Sequence, residues 1–234
     1  NRQNLVENNY IHHIGETYWA SAAITCWQSG ENRIVHNTIH SVPYTAITVT
    51  ARAGLARNPG SGECSATIRN HEITEPQRGG WHQREPLLHA RLNGIEFNEI
   101  HHVVETLGDG DGIYVSGTGR ENRVRGNFIH DCPSHSFAEA IRCDDDQNET
   151  TIEANVIWRI GGLATGIASK GVNHITNNLI VAPSVPTTAR GLLSLEVGPV
   201  MGSVIQHNIL VATAPGHVLC GEGRYYGSAP TPRL

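Results

Sequence analysis

Apolar runs of about five residues, rich in β-branched side chains and alternating with polar ones, recur along the whole chain: AITCW, AITVT, GIYVS, AIRCD and GIASK. Gly, Asn, Asp and Pro punctuate them, as expected of short strands joined by tight corners. Helices would need ten or more residues with a 3.6 period and good helix formers, and no such stretch is present. A second phrase runs beside the first. Asn9, Asn37, Asn98, Asn127, Asn155, Asn178 and Asn208 each follow an apolar residue three positions back and precede another one or two positions on. Their intervals are 28, 61, 29, 28, 23 and 30 residues, and the 61 divides as 34 and 27 if His71 fills a missing slot. A period near 28 with one fixed Asn is the mark of a repeat architecture.

Two clear runs per repeat, with room for a third, predict three short strands and three corners per turn. The expected fold is therefore all-β, a right-handed parallel β-helix of about eight coils, forming one domain over residues 1–234 that is part of a longer solenoid. Equivalent strands of successive coils would pair about 4.8 Å apart, so equivalent side chains stack in columns. An Asn column at a corner would tolerate the left-handed conformation of a bend and hydrogen-bond along the ladder. The asparagines are thus expected to be structural.

Aligning the runs on their first large apolar residue gives Ile24, Ile47, Ile113, Ile141, Ile167 and Leu193. Two residues on come Cys26, Val49, Val115, Cys143, Ser169 and Leu195. Both columns are expected to face inward. Cys26 and Cys143 then share a core column several coils apart, too far to bond. The outward columns would be Thr25, Thr48, Tyr114, Arg142, Ala168 and Ser194, and beside them Trp27, Thr50, Ser116, Asp144, Lys170 and Glu196. Two positions before the anchor, Asp111 and Glu139 are also assigned outward. Asp144, Lys170 and Glu196 fall on consecutive rungs, which puts the two carboxylates roughly 9–10 Å apart, near the upper end for an inverting glycosidase pair. Asp144, Lys170, Glu196 and Asp111 are the candidate catalytic groups; Arg142, Tyr114, Glu139, His135 and Asp145 are candidates for binding substrate. A solvent-exposed salt-bridge ladder would show the same alternation of charge.

Bulk properties narrow the function without choosing it. With 38% hydrophobic residues among 234, the chain can bury a core. A formal charge of -5 and the lack of any basic stretch argue against nucleic acid. No apolar run reaches the length of a membrane span, and no signal peptide is visible, although a secreted or periplasmic protein is expected. The five cysteines, Cys26, Cys64, Cys132, Cys143 and Cys220, lack metal-ligand spacing. His12, His40, His101 and His130 form a column after the Asn ladder, flanked by His13 and His102, for which position in the repeat is a sufficient account. The alternating Asp and Gly of residues 107–119 suggest a calcium loop, but the Glu at its twelfth position is absent. No cofactor is expected, with calcium as the minor alternative. Asp145 and Asp146 suit a turn, and His135, outside the repeat, is a candidate acid or base.

The stretches YWASAAITCWQSGENRIVHNTIHSVPYTAITV, LGDGDGIYVSGTGRENRVRGNFIHD and AIRCDDDQNETTIEANVIWR resemble bacterial right-handed β-helix proteins of polysaccharide degradation, most of all the β-helical glycoside hydrolases with fucosidase and xylanase members. The resemblance runs over about residues 1–212 and is mainly repeat grammar. It implies a polysaccharide or oligosaccharide substrate, with Asp109 or Asp111 and Asp144 or Asp145 as acid and base. GIASKGVNHITNNLIVA followed by GLLSLEVGP is similar instead to a segment of chondroitinase B and alginate lyases, which implies Lys170 as a base acting on a uronate. Glu196 stands where those lyases place an acidic-step Arg, and their calcium ligands have no counterpart in residues 161–169.

Overall fold

The computed structural model describes residues 1–52, 73–133, 138–161, 165–181, 191–196 and 199–222. His71, Cys64 and His135 lie outside them. Among the described residues, 21 strands form three parallel sheets of seven, and each sheet takes every third strand in order, sheet 1 from Leu5–Glu7 and sheet 2 from Tyr10–His12. That is a solenoid of seven coils, each contributing one strand to each sheet, with the right-handed sense usual for parallel crossovers. Sheet 3 consists of Ile24–Trp27, Ile47–Thr50, Gly110–Ser116, Ala138–Asp144, Thr165–Ser169, Leu193–Leu195 and Cys220–Glu222.

The described strands make seven coils and not about eight, because the coils on either side of the 61-residue interval are direct neighbours. Arg33–Val35 pairs directly with Gly94–Glu96, and Asn37 bonds directly to Asn98. The described part of the interval, from residue 73, makes a helical turn at Trp81–Arg84 between two 3-10 turns, Glu75–Arg78 and Glu85–Leu87. Trp81 anchors it, donating from Nε1 to the Thr118 carbonyl at 2.9 Å, and the buried Arg84 pairs with Asp146.

Isoleucine stacks fill the interior. Ile34, Ile95, Ile152 and Ile175 come from sheet 1, Ile39, Ile100, Ile129, Ile157 and Ile180 from sheet 2, and Ile47, Ile113, Ile141 and Ile167 from sheet 3; all are fully buried. Each contributes roughly 1.5–3 kcal/mol by leaving water, and their branched side chains suit a strand. The sheet 3 pairing reproduces the aligned columns rung by rung. Cys26 and Cys143 are indeed three rungs apart and free, and burial pushes the Cys143 thiol up to about 12.

The asparagine ladder runs unbroken from Asn9 to Asn208. At each rung the Oδ1 of the next Asn accepts both the backbone N–H and the Nδ2 of the Asn before it, at 2.9–3.0 Å. The asparagines are not themselves the left-handed residues. Asn8, His36, Phe97, Gly126, Ala154, Asn177 and His207, one position earlier, take φ between 55° and 63°. The bend turns the following amide inward, where water cannot satisfy it, so the next Asn must. A second ladder stands five residues earlier, through Asn4, Asn32, Asn93 and Asn122, and continues on the other side of Thr150 with Asn173.

Candidate active site

Sheet 3 carries the site, and a break in its pleat shapes it. Strict alternation would turn Asp111 and Glu139, two before the anchor, toward the core. Instead two consecutive residues face inward in several coils: Ala46 and Ile47, Ala140 and Ile141, Leu192 and Leu193 all belong to the core. The strand bends there, and only small side chains fit the inside of most bends. A Cβ on Gly112 would stand 2.6 Å from the Ala140 carbonyl oxygen, and one on Gly166 2.5 Å from Ile180 Cγ2. The bend returns Asp111 and Glu139 to the outer side, paired in register with each other.

A cleft of about 480 Å³ lies over this face, along coils 1 to 5. Asp109, Asp111, Tyr114, Arg142, Asp144, Asp145 and Lys170 line its charged part. Asp144 is the hub. One of its oxygens accepts from Tyr114 Oη at 3.0 Å and lies 3.2 Å from Arg142 Nη2; the other accepts the Asp145 N–H at 2.8 Å and pairs with Lys170. Lys170 Nζ also lies 3.9 Å from Glu196. The three rungs are therefore consecutive, as aligned. Both carboxylates lean on the ammonium, so their nearest oxygens are closer than the roughly 9–10 Å that two rungs alone would give. Glu196 itself is buried and does not line the cleft.

Arg142 ties the two halves together. Its Nη1 lies 3.5 Å from Glu139 and 3.2 Å from Asp109, while Nη2 reaches Asp144. The Asp111 oxygen accepts the Glu139 N–H at 3.2 Å, and its own N–H is donated to Thr45 Oγ1. Arg52 is a member the sequence alignment did not single out. It donates to Tyr114 Oη and, at 2.9 Å, to Ser116 Oγ, and pairs with Asp145 at 2.7 Å. It lies two residues past its strand at φ 47°, a corner that folds the side chain back over the sheet and that no apolar period announces.

These outward groups are not a solvated ladder. Asp111, Glu139, Arg142 and Asp144 are between 1% and 6% exposed. Burial and proximity divide their protonation states. Asp111 is pushed well above the usual carboxylate range, first by burial and then by the Glu139 charge and the hydrogen bond between them. Burial also acts to raise Asp144, but Arg142, Lys170 and the Asp145 N–H outweigh it and hold Asp144 below its ordinary value. Burial and the Asp144 charge push the Tyr114 phenol up, so it serves as a hydrogen-bond donor. Burial disfavours the Arg142 cation, yet Glu139, Asp111 and Asp144 together keep it charged.

The histidine column stands apart, on sheet 2. His12, His40, His101 and His130 stack with ring centroids 4.8–5.2 Å apart, made contiguous by the missing eighth coil. Among the described residues no three His, Cys, Asp or Glu side chains are placed to hold a metal ion, and no helix is long and apolar enough to cross a membrane.

Residues 22–224 match the family model described as a right-handed beta helix region, and the chain belongs to that family. No curated protein and no solved structure matches it.

Proposed function

We propose that the chain is a glycoside hydrolase. One observation carries the reading: a single cleft holds two carboxyl groups displaced in opposite directions, Asp111 toward the acid and Asp144 toward the anion. Glycosidic cleavage needs that pair, a proton for the leaving oxygen and a negative charge facing the sugar. Asp111 gives its proton to the glycosidic oxygen as the bond to the anomeric carbon breaks. Asp144 faces the positive charge developing on the ring and takes a proton from the attacking water. Arg142 and Tyr114 hold Asp144 in place and offer donors to sugar hydroxyls; Asp145 acts through Arg52. The substrate is a polysaccharide or oligosaccharide, and such a protein works outside the cell or in a periplasm.

A uronate lyase would need Lys170 as a neutral base. Lys170 instead sits between Asp144 and Glu196, two buried side chains that its ammonium bridges. The test is a panel of neutral and uronate-containing polysaccharides incubated with the intact chain. New reducing ends without ultraviolet absorbance from an unsaturated uronyl group support hydrolysis. Absorbing products point to the lyase, and binding with neither product points to a carbohydrate-binding solenoid; either result overturns the proposal.

A further inference from the structure

The cleft continues past the carboxylates over coils 1 and 2, and its chemistry changes there. The sheet floor at this end is Thr25 and Trp27 from the first coil and Thr48 and Thr50 from the second, with Ala20, Ala22 and Tyr44 beside them. None of these side chains is charged. Arg52, the one cation among the described residues lining this end, is turned to Tyr114, Ser116 and Asp145.

Two details of this floor stand out. Trp27 is 40% exposed and has no ring or cation partner among the described residues. The other tryptophans for which contacts are described differ: Trp81 is buried and hydrogen-bonded, and Trp158 carries the Arg159 guanidinium 4.1 Å above its ring. Beside it, on the next rung, stands Thr50. Thr50 is 2% exposed and lines the cleft, and its Oγ1 has no hydrogen-bond partner among the described residues. A buried hydroxyl without a partner costs about 1–3 kcal/mol, and a valine would fill the same space without that cost. A bare indole face next to an unpaired hydroxyl fits a ligand with an apolar face and a hydroxyl rim.

We infer that Trp27 and Thr50 form a binding subsite for an uncharged sugar ring of a glycan lying along the solenoid axis. The ring's C–H face covers the indole, and one of its hydroxyls bonds to Thr50 Oγ1; Thr25 and Thr48 supply further hydroxyl contacts. Trp27 stands three rungs from Asp144, through Thr50 and Ser116, a distance of about 14 Å. The ring bound there therefore lies several units from the bond that is cut. That a cut bond exists rests on the hydrolase reading; the subsite itself does not. Apart from Arg52, which is paired with Asp145, no described residue lining this end is a cation, which selects against a uronate at that position.

Trp27→Ala and Thr50→Val test it, each compared with the parent chain on neutral and uronate oligosaccharides from two to six units. Affinity is read by titration calorimetry with parent and variants alike carrying Asp111→Asn, so that turnover adds no heat. Trp27→Ala should weaken binding of the long neutral oligosaccharides about tenfold, with the loss growing with chain length, and Thr50→Val severalfold. Thr50→Val should melt at the same temperature as the parent or higher, which a structural hydroxyl would not allow. If the variants bind long neutral oligosaccharides as well as the parent does, if only the uronate oligosaccharides bind, or if the parent binds neither, the subsite is wrong. The hydrolase reading fails separately, when oligosaccharides bind through Trp27 and no reducing ends appear.

Discussion

Asp111→Asn separates catalysis from architecture more cleanly than any other change at the site. Replacing Asp144 is ambiguous. Its carboxylate neutralises Arg142 and Lys170 inside the protein, and removing one partner of a buried ion pair costs roughly 3–5 kcal/mol whatever the residue does in catalysis. Asp111 is different. Its carboxyl is buried and pushed toward the protonated form, with Glu139 as its neighbour. Asparagine copies that form: the amide oxygen still accepts the Glu139 N–H, and the NH₂ replaces the acid O–H as donor to the Glu139 carboxylate. What asparagine cannot do is release a proton.

Loss of a general acid costs about 10²- to 10⁴-fold in rate, which is roughly 3–5 kcal/mol of barrier. Stability should move the other way. A carboxyl whose folded value is raised binds its proton more tightly in the native state, so it loses stability as pH rises from the unfolded value through the folded one. The Asn variant escapes that loss. Its denaturant midpoint should equal the parent's in acid and match or exceed it near neutrality. The assay is a pair of denaturation series across pH, with turnover measured on the best substrate of the panel and on an aryl glycoside whose leaving group needs no proton. The activity deficit should shrink on the aryl substrate. A variant destabilised by more than about 1 kcal/mol at neutral pH would refute the reasoning, because Asp111 would then be an ionised partner of Arg142.

The fold makes its own predictions. Asn127→Ala removes the Oδ1 that accepts from Asn98 N and Nδ2, and the Nδ2 that serves the Ile95 carbonyl and Asn155, all buried; about 3–5 kcal/mol should be lost by chemical denaturation. Asn208→Ala, at the half-exposed last rung, should cost less, about 1–2 kcal/mol, since Asn178 loses its acceptor but water reaches the rest of the amide's site. Burial and the neighbouring histidine charges hold His40 and His101 below the ordinary imidazole value. Both add stability that is fully present above about pH 6.5 and is lost as pH falls toward their folded values. His101→Asn should flatten that acid slope in a melt series, and an unchanged slope would show that the stack titrates normally.

Much of this was legible in the sequence because a solenoid repeats its own geometry. One alignment on Ile24, Ile47, Ile113, Ile141, Ile167 and Leu193 placed Asp144, Lys170 and Glu196 on successive rungs, and the pairing is the same. The second Asn ladder was equally visible, five residues before the first at Asn4, Asn32, Asn93 and Asn122. Other features leave no period. An excursion of the length between Asn37 and Asn98 reads as a coil if it contains one apolar-flanked polar residue, as His71 does. Arg52 reaches the site from a corner conformation, and the burial of the outward charges depends on what covers the sheet.

The pleat break explains why fold and chemistry coincide here. An unbroken strand presents every second side chain outward, so acidic groups on one strand stand about 7 Å apart in a straight line. At Gly112 and Ala140 two neighbours turn inward, and the outward series is shifted by one position. That shift carries Asp111 and Glu139 onto the face occupied by Arg142 and Asp144, with the carboxyl pair next to the bend, away from Lys170. One guanidinium then spans both groups, and the distance from Lys170 leaves Asp111 with burial and a like charge while Asp144 keeps two cations. Filling the bend should undo this division. Gly112→Val would place side-chain carbon against the Ala140 carbonyl oxygen, straighten or displace the strand, and return Asp111 toward the core. Activity should disappear together with stability in that variant, whereas Asp111→Asn loses activity alone.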